Sequence, residues 1–389
     1  MSVCYLLSLN PTSYGIYKNL RNAGLHLHLF HMGGGLESFL GRDITVHRLS
    51  VDEEPEAVVV RLLEIQANAG NPGFVFTSSD GEVAFLDRFR DSLQDVLSLP
   101  IPTAEVARLV NDKHAFAEKL KELGIRIPWS FCVERANVED LGLRLSWPCL
   151  VKPVVSSEWK TDEVSSALGG KKAFVVDNYD GFFPLISRLH EYSPKLLVQE
   201  IIDVAETGNF SFCCYSDANG KVIWGFVTQK LLQYPECFGT AILCSTVEHP
   251  EIASFGKEVI EALGVSGISE TEIVVDRKTG KLFVIEINTR HWLQHRLSTR
   301  LGVNISLLDY YYRSENIPMV NSLVSKDHPF KKVLLVDDYA YLMHFVKNIF
   351  RYKKLLLPYL YRSTLEFSTF ERRQTLTFLK FINRKLFSF

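Results

Sequence analysis

The 389-residue chain has no apolar stretch near the ~20 residues that a bilayer-spanning helix needs, so no membrane span is expected. It also lacks an excess of charge of one sign. Lys and Arg number 43 against 45 Asp and Glu, a net charge of -2, which argues against nucleic-acid binding by the whole chain. The seven cysteines (Cys4, Cys132, Cys149, Cys213, Cys214, Cys237 and Cys244) show no paired metal-binding spacing, and the neighbours Cys213 and Cys214 would point to opposite faces of a strand. Buried free thiols in a reducing cytoplasm are the expectation. The run Met1 to Leu9 has no positive region before it and no cleavage pattern after it, so it reads as a first strand and not as a signal peptide. There is no Ser/His/Asp arrangement, no cysteine-nucleophile motif and no internal repeat. Gly33-Gly34-Gly35 is not a dinucleotide fingerprint, because it follows a second strand pattern, where a glycine loop serves as a turn.

What is present is an ordinary folded composition, 47% hydrophobic and 23% charged, on a chain too long for one core. Up to about Pro102, short apolar runs (Val3 to Leu9, Leu25 to Phe30, Gly73 to Ser78) alternate with helical spacing such as Tyr14 to Ala23, which predicts a parallel sheet with crossover helices. From Asn111 the pattern becomes α+β. Asp112-Lys113 opens a helix that Gly124 stops, strands are expected at Trp147 to Pro153, Lys171 to Val176 and Leu196 to Ile202, and Ile252 to Leu263 is an amphipathic helix ended by Gly264. The fold class expected is thus α/β plus α+β. Its parts are a parallel α/β domain over 1–105, two lobes over 106–200 and 201–318, and a tail over 319–389. From Ser325 onward 13 Lys and Arg face 5 Asp and Glu, and Tyr339 to Phe389 carries 13 Tyr and Phe. A helical tail packing its aromatic stripe on the body is expected there, with docking on an anionic membrane as the sharper alternative.

The strongest chemical signal is an acidic hairpin. Thr271 to Arg277 and Lys281 to Ile287 have strand composition, and Lys278-Thr279-Gly280 between them fits a three-residue loop with Gly at the left-handed position. That loop would pair Arg277 with Lys281 and set Glu272 opposite Glu286, Cβ atoms about 5 Å apart, with Asn288 on the same face. Opposed carboxylates repel, so the face is expected to hold a cation. Mg2+ suits oxygen ligands that leave positions for phosphates. A solvated hairpin face is the plain alternative.

Several further residues fall into one order along the chain: Lys113, Val151-Lys152-Pro153, Gly169-Gly170-Lys171-Lys172, Gln199-Glu200-Ile201-Ile202, Lys230, Glu272, Glu286, Asn288 and Arg290. A lysine followed by proline on a strand can aim a fixed ammonium at phosphate, and Lys113 sits at a helix start where the dipole favours anions. Gly169-Gly170 reads as a loop whose amides could close over phosphates, though a plain turn explains it equally. In order and spacing the set resembles the ATP-grasp superfamily. Lys230-Leu-Leu-Gln-Tyr-Pro235, Phe238-Gly239-Thr240-Ala241 and Glu286-Ile-Asn-Thr-Arg-His-Trp-Leu-Gln-His295 look most like its predicted carboxylate-amine ligases. The resemblance covers residues 1 to about 315 and is loose in the tail.

The resemblance implies an ATP-grasp fold with a pre-ATP-grasp domain and a helical C-terminal extension. It also implies ATP and Mg2+ as cofactors, with Mn2+ as a substitute. By it, Gln199, Glu200 and Ile202 meet adenine, and Glu206, preferred over Asp203, takes the ribose. Lys113, Lys152, Gly169 and Gly170 hold phosphates, and Glu272, Glu286 and Asn288 hold the metal. Lys230 and Arg290 act on the transferred phosphoryl group, while His291, Trp292, Gln294, His295 and Arg296 either line an acceptor site or are structural. The reaction implied is phosphoryl transfer to a carboxylate followed by amine attack, giving an amide, ADP and phosphate. Small carboxylates and amines, including cell-wall or polysaccharide precursors, are the expected partners. A carboxylase or carbamoyl-phosphate-type enzyme and a nucleotide-binding regulatory protein are the alternatives.

Overall fold

The computed structural model describes residues 2–338, 340 and 364–368, apart from 34, 51, 70–71, 139–144, 160, 235–238 and 327–328. The chain divides into two compact units, one of residues 1–102, 211–270 and 288–389 and the other of residues 103–210 and 271–287.

The first unit opens with β1 (Val3–Leu6), β2 (His26–His31), β3 (Ile44–Arg48), β4 (Gly73–Phe76) and β5 (Leu97–Ser98), all parallel, in the order β3-β2-β1-β4-β5. The expected alternation is realised by helices Pro11–Leu20, Pro55–Ala69 and Asp80–Arg88 between the strands. Every residue of β1 and β4 is buried, as the central strands of a covered parallel sheet require. The first helix begins where Asn10 accepts from the Thr12 and Ser13 amides, at 2.9 and 3.0 Å, with Pro11 in its first turn.

The second unit holds an antiparallel sheet of β6 (Ser130–Val133), β7 (Cys149–Pro153), β8 (Phe174–Val176) and β9 (Leu196–Glu200), ordered β6-β9-β7-β8. One face of it packs Cys149, Val151, Val176, Leu196 and Val198 into a core with Phe182, Ile186 and Leu189 of the Tyr179–Leu189 helix. The alternate residues, Lys152 and Gln199 among them, lie on the other face.

The remaining strands are β10 (Val204–Ser216), β11 (Val222–Tyr234), β12 (Thr240–Val247), β13 (Gly267–Asp276), β14 (Leu282–Asn288), β15 (Val333–Val336) and β16 (Thr364–Phe367), in the order β14-β13-β10-β11-β12-β15-β16. The helix expected before the acidic hairpin spans Pro250–Leu263, and Gly264 ends it in the left-handed region at φ 62°.

Two expectations are corrected by these elements. Past residue 319 the chain is not helical throughout. Ile317–Val324 is a helix, but Val333-Leu-Leu-Val336 is a fully buried strand and Thr364–Phe367 pairs parallel with it. A four-residue apolar run with β-branched ends fits a covered sheet position better than a helix turn. Glu366 on β16 is 3% exposed and meets the guanidinium groups of Arg296 and Arg300. The aromatic stretches at 341–363 and 369–389 lie outside the described residues, and with them the membrane-docking expectation.

The second correction is the hairpin loop. Asp276 N–H donates to Lys281 O at 2.9 Å, so Arg277 belongs to the loop and is not paired with Lys281. Asp276 Oδ1 accepts from Thr279 N–H at 2.7 Å and from its hydroxyl at 2.6 Å, while Arg277 N–H turns away to Asp203 O at 2.7 Å. The aspartate's side chain thus closes the turn one residue earlier than strand propensity suggests. Gly280 takes the left-handed position as expected, at φ 67°.

Candidate functional site

In the second unit, Lys152 is the centre of a charged cluster. It lies on β7 diagonally across from Gln199 of β9, and its Nζ donates to Gln199 Oε1 at 2.8 Å. Gln199 is 4% exposed, and its amide nitrogen donates to Ser130 Oγ at 3.0 Å, so both ends of the glutamine are committed. Burial pushes the Lys152 ammonium down to about 8. Lys113 pushes the same way, and the carboxylates of Glu286 and Glu272 oppose both. One cation and two anions predicted from separate stretches therefore all act on the Lys152 ammonium within this unit.

Lys113 is the first residue of the Lys113–Glu122 helix, whose N-cap Asp112 accepts from the His114 and Ala115 amides at 2.9 Å. Its backbone N–H donates to Val154 O at 3.2 Å and its ammonium to Ser156 Oγ. The helix start is thereby tied to the strand end that carries Lys152. Glu200 ends β9 half-buried. Its backbone N–H donates to Trp129 O at 2.9 Å, and its carboxylate accepts from Trp129 N–H at 3.2 Å. Ile202 follows, half-buried, and Asp203 pairs with Arg277 at 3.2 Å. Glu206 lies in β10, but its side chain is outside the described residues.

Gly169 and Gly170 do something the sequence reading left open. Both are left-handed, at φ 63° and 70°. Gly170 N–H donates to Ser165 O at 2.7 Å and Gly169 N–H to Ser166 O at 3.1 Å. This is the double bond of a Schellman cap on the Asp162–Ala167 helix. The amides expected to meet phosphate are here occupied by helix carbonyls, because a helix end must satisfy its last carbonyls before anything else is offered.

In the first unit, Asn288 ends β14 and joins a chain of hydrogen bonds with Glu270, Arg290 and Asp80. Its Nδ2 donates to Glu270 Oε2 at 3.2 Å and its Oδ1 accepts from Arg290 Nη2 at 3.0 Å. Arg290 Nε donates to Asp80 Oδ1 at 2.6 Å. Asp80 opens the Asp80–Arg88 helix just after β4, where negative charge suits the helix start. Lys230 lies on β11 opposite Cys244 of β12, at a shift in strand register. His291 and His295 are 1% and 0% exposed. Nδ1 of His291 meets Thr77 O at 3.2 Å and Nδ1 of His295 meets Trp292 O at 2.6 Å. Burial drives both imidazoles to lower pKa, His295 to about 3, so both are neutral.

Two residues of this network escaped the sequence reading. Glu270 is two residues before Glu272 on one strand and so shares its face, a signal available in the period of 2. Asp80 meets Arg290 across 210 positions, and no local pattern announces such a pair. Among the described residues, no three His, Cys, Asp or Glu side chains form a group that could hold a metal by themselves. Within the second unit, the carboxylates of Glu272 and Glu286 nevertheless fit the chemistry of Mg2+, a hard cation that binds through one or two carboxylates and completes its shell with water and phosphate oxygens.

No family model matches the chain. D-alanine--D-alanine ligase of a Thermoanaerobacter species is 24% identical over 214 residues, 51% of this chain and 56% of that protein, so the chain matches only about half the length of this curated relative. Among solved structures, an N5-carboxyaminoimidazole ribonucleotide synthetase bound to ADP has a TM-score of 0.66 at 10% identity, covering 90% of this chain and 85% of its own. An L-amino acid ligase from Bacillus licheniformis has a TM-score of 0.57 at 17% identity, covering 80% and 73%. The biotin carboxylase domain of 2-oxoglutarate carboxylase from Hydrogenobacter thermophilus, solved with MgADP and bicarbonate, has a TM-score of 0.63 at 15% identity, covering 80% and 69%. At these identities the likeness is one of fold.

Proposed function

We propose that this chain works on an ATP-grasp fold as an ATP-dependent carboxylate-amine ligase, a reading supported by its likeness in fold to ligases and synthetases. ATP would phosphorylate a substrate carboxylate, and an amine would displace phosphate from the acylphosphate to leave an amide, ADP and phosphate. The observation that carries this reading is the Lys152 cluster, in which one half-buried ammonium, held by Gln199 Oε1 at 2.8 Å, feels Lys113, Glu272 and Glu286 together. A surface lysine has no reason to give up hydration beside a second cation. A lysine kept for a polyphosphate does, because the anion repays the burial.

In this reading Lys113 and Lys152 bind ATP phosphates, Gln199, Glu200 and Ile202 face the base, and Glu206 meets the ribose. Gly169 and Gly170 offer amides to phosphate only when the Asp162–Ala167 helix gives up its cap. Glu272, Glu286 and Asn288 hold Mg2+, which when bound neutralises charge on the triphosphate. Lys230 and Arg290 stabilise the charge that develops on the transferred group, and Asp80 keeps the Arg290 guanidinium in one orientation. No side chain needs to act as a nucleophile, since positioning and charge neutralisation account for such a transfer. Residues 1–105, 106–200, 201–318 and 319–389 remain the proposed functional division. A cell-wall or polysaccharide precursor is an acceptor that relatives of this kind would use, and the basic, aromatic sequence after Ser325 favours one held near an anionic membrane.

The test is ADP release from Mg-ATP over a panel of amino acids and amines. Turnover that needs both a carboxylate and an amine supports ligation. Turnover with bicarbonate alone would favour carboxylation, the reading suggested by the fold shared with the biotin carboxylase domain. No turnover with any acceptor, together with unimpaired ATP binding, would favour a regulatory nucleotide-binding protein.

A further inference from the structure

We infer that Glu270 is a positioning residue that fixes the Asn288 amide with its nitrogen toward Glu270 and its oxygen on the Arg290 side, and that it contributes to cation binding through Asn288 alone. This rests on the proposed role of Asn288 as a cation ligand and names what makes that role reliable.

The orientation follows from chemistry. An ionised carboxylate only accepts hydrogen bonds and a guanidinium only donates them. Asn288 lies between one of each, with Glu270 Oε2 at 3.2 Å on one side and Arg290 Nη2 at 3.0 Å on the other. The amide nitrogen must therefore face Glu270 and the oxygen must face Arg290. The reverse setting would put two acceptors together and two donors together. Arg290 is itself held by Asp80 and by His291 O at 3.2 Å, so the donor side of the arrangement is also fixed.

Glu270 is 5% exposed, which makes the bond one that the carboxylate cannot easily trade for water. Without Glu270 the Asn288 amide would be held from the Arg290 side alone, and the half-turn that presents its NH2 to a cation, where it repels, would be opposed by one contact fewer. Glu270 disfavours that state. It sits two residues before Glu272 on the same strand and acts behind the ligand set without joining it. Partners of this kind, one bond removed from a metal, typically matter by about 10–100-fold in affinity.

The experiment measures Mn2+ binding by electron paramagnetic resonance in the full chain with ADP present, so that the readout is occupancy and not turnover. Glu270→Ala is expected to weaken Mn2+ binding by about 10–100-fold. Glu270→Gln, which keeps an acceptor oxygen for Asn288, is expected to restore most of that affinity. In the Asn288→Ala background, adding Glu270→Ala should cost nothing further, since the route is already cut. Should the alanine variant melt below the assay temperature, Glu270→Met removes the acceptor at nearly constant volume and is read in the same way. Parent-like Mn2+ affinity in Glu270→Ala, or losses that add in full with Asn288→Ala, would overturn the inference. Glu286→Gln separates the two levels. If it too binds Mn2+ like the parent, the cation site itself is wrong, and if it alone loses Mn2+, only the role of Glu270 is.

Discussion

Lys152 Nζ donates to Gln199 Oε1 at 2.8 Å, a bond between neighbouring strands on the face of the sheet turned away from its core. The glutamine is neutral, so it orients the ammonium without cancelling its charge. Lys152→Ala should therefore weaken ATP binding with little effect on the fold, and unchanged affinity by calorimetry would remove Lys152 from the site. The same pair sets a pH dependence. With its pKa pushed down to about 8, Lys152 is cationic below that value and neutral above it. ATP affinity should fall as pH rises through about 8. Lys152→Arg, whose guanidinium stays charged, should flatten that fall.

Glu286 and Glu272 both raise the Lys152 pKa, so each brings negative charge to that ammonium. Glu286→Gln should abolish Mg-dependent ATP turnover while leaving the melting temperature close to that of the parent, because the side chain is half-buried and the amide is isosteric. Retained turnover in this variant would count decisively against the cation assignment.

The residues of the acidic hairpin were readable because strand period and turn chemistry are local. The helix starts at Asp112-Lys113 and the stop at Gly264 were readable for the same reason, since caps are written within a few residues. The loop closed at Asp276 instead of Arg277 because an aspartate side chain competed with the backbone for the turn, which propensity does not weigh. Gly169-Gly170 carried two meanings in one composition, a phosphate loop and a helix cap, and only the hydrogen bonds to Ser165 and Ser166 distinguish them. Asp80 and Glu366 were not legible at all, for their arginine partners are supplied by distant parts of the chain.

The histidines make an acid-sensitive set. Burial lowers His28 from 6.5 to about 4, with His47 and His26 adding to the effect, and lowers His295 to about 3. The unfolded chain therefore binds more protons than the folded one between those values and 6.5, and stability falls as pH drops through that range. Above 6.5 the histidines no longer contribute a slope. Thermal melts followed downward from neutral pH should show the decline, and His295→Gln should lessen it. A melting temperature that stays constant to pH 4 would show that these groups do not control the acid limit.

Gly15 in the Pro11–Leu20 helix faces the same His295. A Cβ at position 15 would lie 2.7 Å from His295 Cε1 and 3.0 Å from Arg296 Cδ. Neither neighbour can yield cheaply. His295 is 0% exposed and tied to Trp292 O, while Arg296 is bound to Glu366 and to Phe367 O at 3.1 Å. Helix propensity alone would make alanine the better residue here by about 1 kcal/mol, so the sign of the change is decided by packing. Overpacking of this kind costs about 1–3 kcal/mol, and Gly15→Ala should be destabilising in urea titration despite the gain in propensity. His295→Ala should relieve the clash, so the double variant should lose less than the two single changes added together. A stabilised Gly15→Ala would mean that the helix and the segment after Trp292 are not packed as closely as these contacts require.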